Sequence, residues 1–515
     1  VPEKIVLWDD FSGGEFGDTP THLTKPNQFT GLNVIVYRSG EIGPRPGIKT
    51  YRNTDLPNGL VKGAGFAGTP GANWWLATAT NQLWVNDSVN GDWDQATGTF
   101  AATLDHVEGQ EVATEQTYLI ATGDDIYRID HAEDASTLTR ITGFSTATAA
   151  VGYHLQKFRE RLYGVEDNTL WFSDGADFTT WGASNFFDVG FGPPIRFLGW
   201  MKDALIIITS DSGIWEYRGT PDAKDSLRRL YQGSRHPWVF YPGRALSLPN
   251  DDLWFVPVDR DYPAQWLNGF IVELEHLKTF DGNYAGSTNE PQEVRVLHTN
   301  EDDELMILFQ VIDPVTSRPR ALLKRDDTWS RIEWSVTDIG TWSASDRQGE
   351  ILLSNGGGAS VAPSLYTYNT ALERPGFTSD TNAGPGDNSA TPLDAWFKTG
   401  EWWAPEGEEV TVKNVIVDFT KWDTGAGVQN HFDVGVIRLA RNNSDTSLTP
   451  VAYQAFDEDD DMASATGIRD RHISGGPSGG NIPSAGFQLY IDNIVGCTIK
   501  SIRVIMDQKS NTPRY

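Results

Sequence analysis

The chain has one cysteine, Cys497, in 515 residues. No intramolecular disulfide can form, so the fold does not depend on an oxidising compartment. The setting Ile494-Val495-Gly496-Cys497-Thr498 reads as a small apolar residue in a core. Positive charge is also short. Lys and Arg total 41 against 70 Asp and Glu, a formal net charge of −29. That balance argues against a surface built to grip nucleic acid or an anionic membrane. It is compatible with a channel that DNA slides through, because such a wall should repel its cargo. No apolar run reaches about 18 residues, the length that would suggest a membrane span. Val1-Pro2-Glu3-Lys4 lacks the apolar stretch of a signal peptide. The expectation is a soluble chain made in the cytoplasm.

Signatures of catalysis are missing as well. The nine histidines, His22, His106, His131, His154, His236, His276, His298, His431 and His472, stand singly. None forms a His-x-x-x-His pair or a Cys–His set, so no zinc site is expected. There is no Gly-x-Ser-x-Gly, no P-loop and no dinucleotide fingerprint. A carboxylate pair assembled from distant strands would leave no local trace. With 70 acidic residues almost any pair could be named, so none is. No catalytic, cofactor-binding or metal-ligating residue is expected, and the chain reads as a non-enzyme.

Gly and Trp are plentiful, at 51 and 19 residues. Segments with a 3.6-residue period are scarce. Short runs bounded by Gly, Asp, Asn and Pro dominate, which indicates an all-β protein. One element recurs: a hairpin ending in an aliphatic–aromatic pair. It stands at Leu83-Trp84, Ile126-Tyr127, Leu170-Trp171, Ile214-Trp215, Leu253-Trp254 and Leu365-Tyr366, with a weaker member at Leu322-Leu323. The second residues lie 43, 44, 44, 39, 69 and 43 positions apart. A spacing of about 44 residues matches one four-stranded propeller blade. In each unit an apolar strand precedes the pair, as Ala204-Leu205-Ile206-Ile207-Ile208 precedes Ile214-Trp215. Such runs suit inner blade strands, with the aromatic filling the wedge between blades. The expected fold is a β-propeller over 51–374 with about seven blades. The 69-residue gap holds an extra run, Phe270-Ile271-Val272-Glu273-Leu274, that reads as an extended outer part of one blade or else as an additional irregular blade, which leaves six or eight open.

Residues 1–50 read as an N-terminal arm with ring-closing strands. Leu32-Asn33-Val34-Ile35-Val36-Tyr37 is one strand, and the prolines flanking Arg45 mark an edge or a fixed turn. Residues 375–392, rich in Gly, Pro, Asn and Ser, read as a linker. Residues 393–515 lack the repeat and read as a β-sandwich. Its strands are expected at Val410–Phe419, His431–Leu439, Leu448–Tyr453, Phe487–Ile491 and Ile499–Met506.

Four further features invite a functional reading. Asp457-Glu458-Asp459-Asp460-Asp461 is a carboxylate cluster, but EF-hand spacing is absent and a solvated loop explains it. Ser173-Asp174-Gly175 through Trp181 has the wrong offsets for a sialidase-type Asp-box and reads as a structural turn. Lys224-Asp225-Ser226-Leu227-Arg228-Arg229 is a small basic stretch, read as an exposed helix turn or loop able to touch phosphate or an acidic neighbour. Trp396, Trp402, Trp403 and Trp422 are candidates to stack on sugar rings, or else they belong to a core.

Three stretches resemble virion tail proteins of tailed bacteriophages. The first is Phe11-Ser12-Gly13-Gly14, Asn27-Gln28-Phe29, Leu32-Asn33-Val34, Ser39-Gly40 and Arg45-Pro46-Gly47. The second is Leu170-Trp171-Phe172-Ser173-Asp174, Trp181, Phe187-Asp188-Val189-Gly190 and Pro194-Ile195. The third is Asp203-Ala204-Leu205-Ile206-Ile207-Ile208 leading to Gly213-Ile214-Trp215-Glu216-Tyr217-Arg218-Gly219. Their order is similar to that in the propeller proteins forming the nozzle or hub of short tails. The resemblance covers residues 8 to about 260. It implies a structural virion protein, located in the tail and assembled in the host cytoplasm. It implies a homohexameric ring that extends the DNA-ejection channel and joins the adaptor or portal side to the distal tail and fibres. Genomic DNA would pass through without specific binding, and nothing would insert into a membrane. The alternatives are a host-surface glycan-binding tail module and a propeller glycoside hydrolase.

Overall fold

The fold is seen in a computed structural model. It describes residues 3–12, 14–15, 28–37, 40–45, 47–51, 61–67, 73–78, 81–86, 93–100, 108–111, 117–121, 126–130, 137–141, 151–175, 178, 180–189, 192–201, 203–211, 213–219, 226–231, 245–247, 253–255, 262–267, 270–277, 294–301, 304–312, 319–325, 328–334, 339–345, 350–355, 365–369, 379–381, 390–392, 395–421, 431–439, 453–456, 468–474 and 483–510. Apart from the short 3₁₀ turn Glu275–Leu277 and a 3₁₀ residue at Ser226, the regular structure among them is all strand. The chain is all-β.

Six strands come first: β1 (Glu3–Trp8), β2 (Gly14–Glu15), β3 (Gln28–Leu32), β4 (Val34–Val36), β5 (Ile42–Pro44) and β6 (Ile48–Tyr51). Four-stranded antiparallel sheets then follow in chain order. The first holds β7 (Val61–Ala67), β8 (Asn73–Thr78), β9 (Gln82–Asn86) and β10 (Trp93–Gln95). The second holds β11 (Glu108–Glu111), β12 (Thr117–Ala121), β13 (Ile126–Asp130) and β14 (Thr137–Arg140). The third holds β15 (Val151–Phe158), β16 (Arg161–Glu166), β17 (Thr169–Phe172) and β18 (Phe186–Asp188). The fourth holds β19 (Ile195–Met201), β20 (Ala204–Thr209), β21 (Ile214–Tyr217) and β22 (Leu227–Tyr231). The fifth holds β23 (Ala245–Ser247), β24 (Leu253–Phe255), β25 (Ala264–Leu267) and β26 (Phe270–Glu273). The sixth holds β27 (Val294–Glu301), β28 (Glu304–Ile312), β29 (Pro319–Arg325) and β30 (Thr328–Glu333). The seventh takes β31 (Ile339–Ser345), β32 (Glu350–Asn355) and β33 (Leu365–Asn369) from the chain and its outer strand, β6, from the N-terminal segment. The first strands of successive sheets are neighbours, from β7 through β11, β15, β19, β23 and β27 to β31, and β31 lies beside β7.

The recurring pair has a physical explanation. Consecutive strand residues point to opposite faces. In β13, Tyr127 faces the core shared with the first sheet, and Ile126 the core shared with the third. In β17, Trp171 faces back to the second sheet and Leu170 forward to the fourth. In β21, Trp215 packs back against the third and Ile214 forward on the fifth. Each of these three pairs therefore fills two wedges at once. Tyr366 of β33 likewise faces back to the sixth sheet.

Two members depart from this. Leu253-Trp254 lies on β24, the second strand of its sheet, and faces the other way round: Leu253 packs on the fourth sheet, and Trp254 meets Trp329 of the sixth at 5.8 Å. The third strand there is β25, whose Trp266 enters the core shared with the fourth sheet. That displacement contributes to the 69-residue interval. The extra run Phe270–Leu274 supplies β26, the fourth strand of the same sheet. In β29, Ala321 and Leu323 face the seventh sheet, so the weaker pair is displaced by one residue. The apolar runs, such as β20 with every residue buried, are second strands rather than the innermost ones.

The later strands are β34 (Ser379–Thr381), β35 (Ala390–Pro392), β36 (Trp396–Thr399), β37 (Trp402–Trp403), β38 (Glu408–Lys421), β39 (His431–Leu439), β40 (Tyr453–Phe456), β41 (Ile468–Ser474), β42 (Gly486–Val495) and β43 (Cys497–Ser510). The segment read as a linker contains the β34–β35 ladder. Sequence reasoning missed β36, β37 and β41, and of Leu448–Tyr453 only Tyr453 falls within the described residues. Two larger sheets result. One joins β4, β5, β43, β38 and β41, with β1 also on β43. The other joins β2, β3, β36, β42, β39 and β40, with β37 on β42. Their facing side chains form one core that includes Phe29, Phe397, Val417, Phe432, Leu489, Val504 and the buried Cys497.

Residues 1–50 thus have two destinations. β6 joins the seventh sheet, whereas β1 to β5 belong to the two C-terminal sheets. β4 joins the two regions. Val34 and Val36 enter the C-terminal core; Ile35 and the following Tyr37 enter the core of the sixth and seventh sheets. Beside it, Arg45 is fully buried, its guanidinium 4.6 Å from the Trp334 ring centre. Arg45 Nε donates to Asn33 Oδ1 at 3.1 Å, and its terminal nitrogen to the Glu333 carbonyl at 3.1 Å. The same Asn33 oxygen accepts the Glu333 N–H at 2.9 Å, and the Asn33 N–H donates to the Arg331 carbonyl at 2.9 Å. Asn33 holds a left-handed φ of 55°. Asn33→Gly should cost about 2 kcal/mol, because two buried donors lose their acceptor. Asn33→Ala should cost roughly 1 kcal/mol more, because alanine tolerates that φ less well. Chemical denaturation of both variants checks the order.

Candidate functional site

The loop Ser173–Trp181 is structural. Ser173 is buried; its N–H donates to the Leu162 carbonyl at 2.9 Å, and its hydroxyl accepts the Leu162 N–H at 3.0 Å. The Asp174 N–H donates to the Thr180 carbonyl, and the Asn185 amide donates to the Asp174 carboxylate. Gly175 supplies the positive φ of 57° that the turn requires. Phe178 and Trp181 then drop into the core of the second and third sheets.

The basic stretch runs from a 3₁₀ residue, Ser226, into a strand. Leu227–Tyr231 is β22, the outer strand of the fourth sheet, while Lys224 and Asp225 lie outside the described residues. Its cations face acids already in place. Arg228 approaches Glu216 at 3.7 Å, where Arg218 also stands at 3.1 Å. Arg229 pairs with Asp211 at 3.0 Å and lies 5.1 Å from the Trp215 ring centre. This arrangement is a charge-balanced outer strand, not an open phosphate cradle. Asp211 also accepts from the Thr209 hydroxyl and the Gly213 N–H. Partial burial would raise its pKa, but these hydrogen bonds and Arg229 outweigh it and hold the carboxyl below its usual 3.8.

The candidate tryptophans separate. Trp402 packs against the C-terminal core, 5.6 Å from Phe487, with the Lys4 ammonium 5.4 Å from its ring centre. Trp396 is half-buried, 5.7 Å from Tyr490, and Lys398 lies 5.6 Å from each ring centre. Burial lowers the Lys398 pKa. Trp403 is exposed at the edge of its sheet, its indole N–H on Glu401. Trp422 and Asp457–Asp461 lie outside the described residues. Tyr37 and Tyr163 lie in cores, and burial raises the pKa of both hydroxyls.

Among the described residues no group of three or more His, Cys, Asp or Glu is placed to hold a metal ion. His154 is buried against Phe197. What the surface does offer is exposed apolar side chains on two outer strands: Ile5 and Leu7 on β1, and Leu267, Phe270 and Val272 on the β25–β26 hairpin. Sequence reasoning missed both as a site. The available signal was alternation of large apolar residues at a sheet edge. No protein-family model matches this chain, and no curated protein matches it in sequence.

A depressed carboxylate pKa stabilises the folded state above the unfolded pKa, and that contribution is lost as pH falls through the folded value. The Asp211 contribution should therefore be complete above about pH 3.8 and decline below it. Asp211→Asn should flatten the acid limb of the stability profile there, as measured by thermal melts across pH.

Proposed function

We propose that residues 51–374, with β6, form a closed seven-bladed β-propeller, that the C-terminal region is a β-sandwich, and that the protein is a structural component of a bacteriophage tail. One observation carries the fold reading: the seven four-stranded sheets have neighbouring first strands in cyclic order, and β31 returns to β7. Completion of the seventh sheet by β6, far away in sequence, fits a ring fastened by its own N-terminal segment. Such closure protects strand edges and gives a rigid disc.

The tail assignment rests on the order of motifs across residues 8 to about 260. Those motifs have structural duties here: Arg45 and Asn33 join the two regions, Trp181 fills a wedge, and Ile214 and Trp215 fill two. A nozzle or hub needs rigid subunits that repeat around an axis, and a heterologous contact that closes by rotation provides this. Six copies would line a DNA channel, with adaptor or portal proteins on one side and the distal tail and fibres on the other. The net charge of −29 suits a wall that DNA passes without adsorbing.

Glycan binding is the second reading, favoured by the exposed Trp403 and the Trp396–Tyr490 pair. Mass photometry of the full chain, alone and with the other tail proteins of its phage, separates the two. The tail reading predicts a hexamer or larger ring in at least one of those conditions. A chain that stays monomeric in both and binds a glycan array through Trp403 supports the second reading instead.

A further inference from the structure

The two exposed apolar strands share a pattern. β1 pairs with β43 alone and β26 with β25 alone among the described residues, so each has an open edge. Ile5 is 61% exposed and Phe270 is 74% exposed. In β1, Val6 and Trp8 face the core, while Ile5 and Leu7 point outward over Ile505 and Arg503. In β26, Ile271 packs inward, while Phe270 and Val272 point outward beside Leu267 and Gln265. An open edge carrying outward apolar residues is a template for another strand.

The strands match each other better than themselves. Directly opposite residues of an antiparallel pair share a face. One register sets Leu7 against Phe270, Val6 against Ile271, Ile5 against Val272 and Lys4 against Glu273. Outward residues then meet outward ones, inward meet inward, and Lys4 meets Glu273. Lys4 is exposed; Glu273 is exposed and accepts one bond, at 2.6 Å, from the Tyr262 hydroxyl. A slip by one residue puts inward side chains opposite outward ones. A slip by two puts Glu273 against Val6, or Lys4 against Ile271. Antiparallel self-pairing of β1 about Val6 opposes Glu3 to Asp9, and self-pairing of β26 about Ile271 leaves Glu273 without a cation.

We propose that β1 of one copy adds antiparallel to β26 of the next, a head-to-tail contact between two copies of this chain. The inference rests on the ring-forming reading and identifies the surface that would form the ring. Because the two patches differ, the contact is heterologous and propagates until it closes.

The test uses the full chain and mass photometry at fixed ionic strength, with phage partners where these are needed for assembly. Ile5→Asp and Phe270→Asp should each keep the wild-type melting profile, since both side chains are exposed. Each should raise the concentration for half-assembly by at least about tenfold, or 1.4 kcal/mol. An equimolar mixture of the two variants should stop at two copies, because only one of the two possible contacts is intact. Lys4→Glu and Glu273→Lys should each weaken assembly, and the double variant should restore it. If the wild type forms rings and these variants form them equally well, the proposed contact is wrong and the ring-forming reading survives. A wild type that stays monomeric with and without partners overturns both.

Discussion

Alternation of side chains along a β-strand is the constraint on which the rest of this structure depends. Because neighbours point to opposite faces, two adjacent apolar residues on one strand can serve two cores. The third strands of the repeat use this to pack each sheet against the one before and the one after: Tyr127 with Ile126, Trp171 with Leu170, and Trp215 with Ile214. β4 uses the same alternation to join the repeat sheets to the C-terminal region, with Val34 and Val36 on one side and Ile35 and Tyr37 on the other. A single polar substitution at any of these positions would disturb one interface and spare the next.

The polar part of the junction follows from the apolar part. Once β4 is held between two cores, Asn33 before it and Arg45 beside it are buried. Asn33 and Arg45 satisfy the backbone groups there, and Trp334 covers the guanidinium. A buried guanidinium is costly unless its donors find acceptors and its face finds an aromatic ring. Asn33 supplies one acceptor from nearby in the chain, while the Glu333 carbonyl and the Trp334 ring come from about 290 positions away. The proposed ring of blades and the proposed sandwich therefore share a boundary that no separate fragment would reproduce.

Much of the repeat was legible because its signal is local. An aliphatic–aromatic pair after a polar turn marks a strand, and its spacing marks the unit. In the fifth sheet the run Phe270–Leu274 was legible as the outer part of its unit, but the pair Leu253-Trp254 sits one strand early, so spacing alone misplaced it. The N-terminal pairings left no local trace. Nothing in Glu3–Trp8 specifies a partner at Ile502–Asp507, and nothing in Ile48–Tyr51 specifies Leu365–Tyr368. The prolines flagged Arg45 as special, but its partners were set by tertiary structure. The outward residues of β1 and β26 could be seen as apolar, yet only the sheet order showed that their strands are edges.

Direct imaging by single-particle electron cryomicroscopy of the full chain, assembled with the proposed tail partners where needed, tests the central claim. The account predicts a closed disc of seven blades in each subunit, the seventh completed by the N-terminal segment, with subunits repeated around a channel. An open arc of sheets, or a seventh sheet lacking that strand, would contradict it.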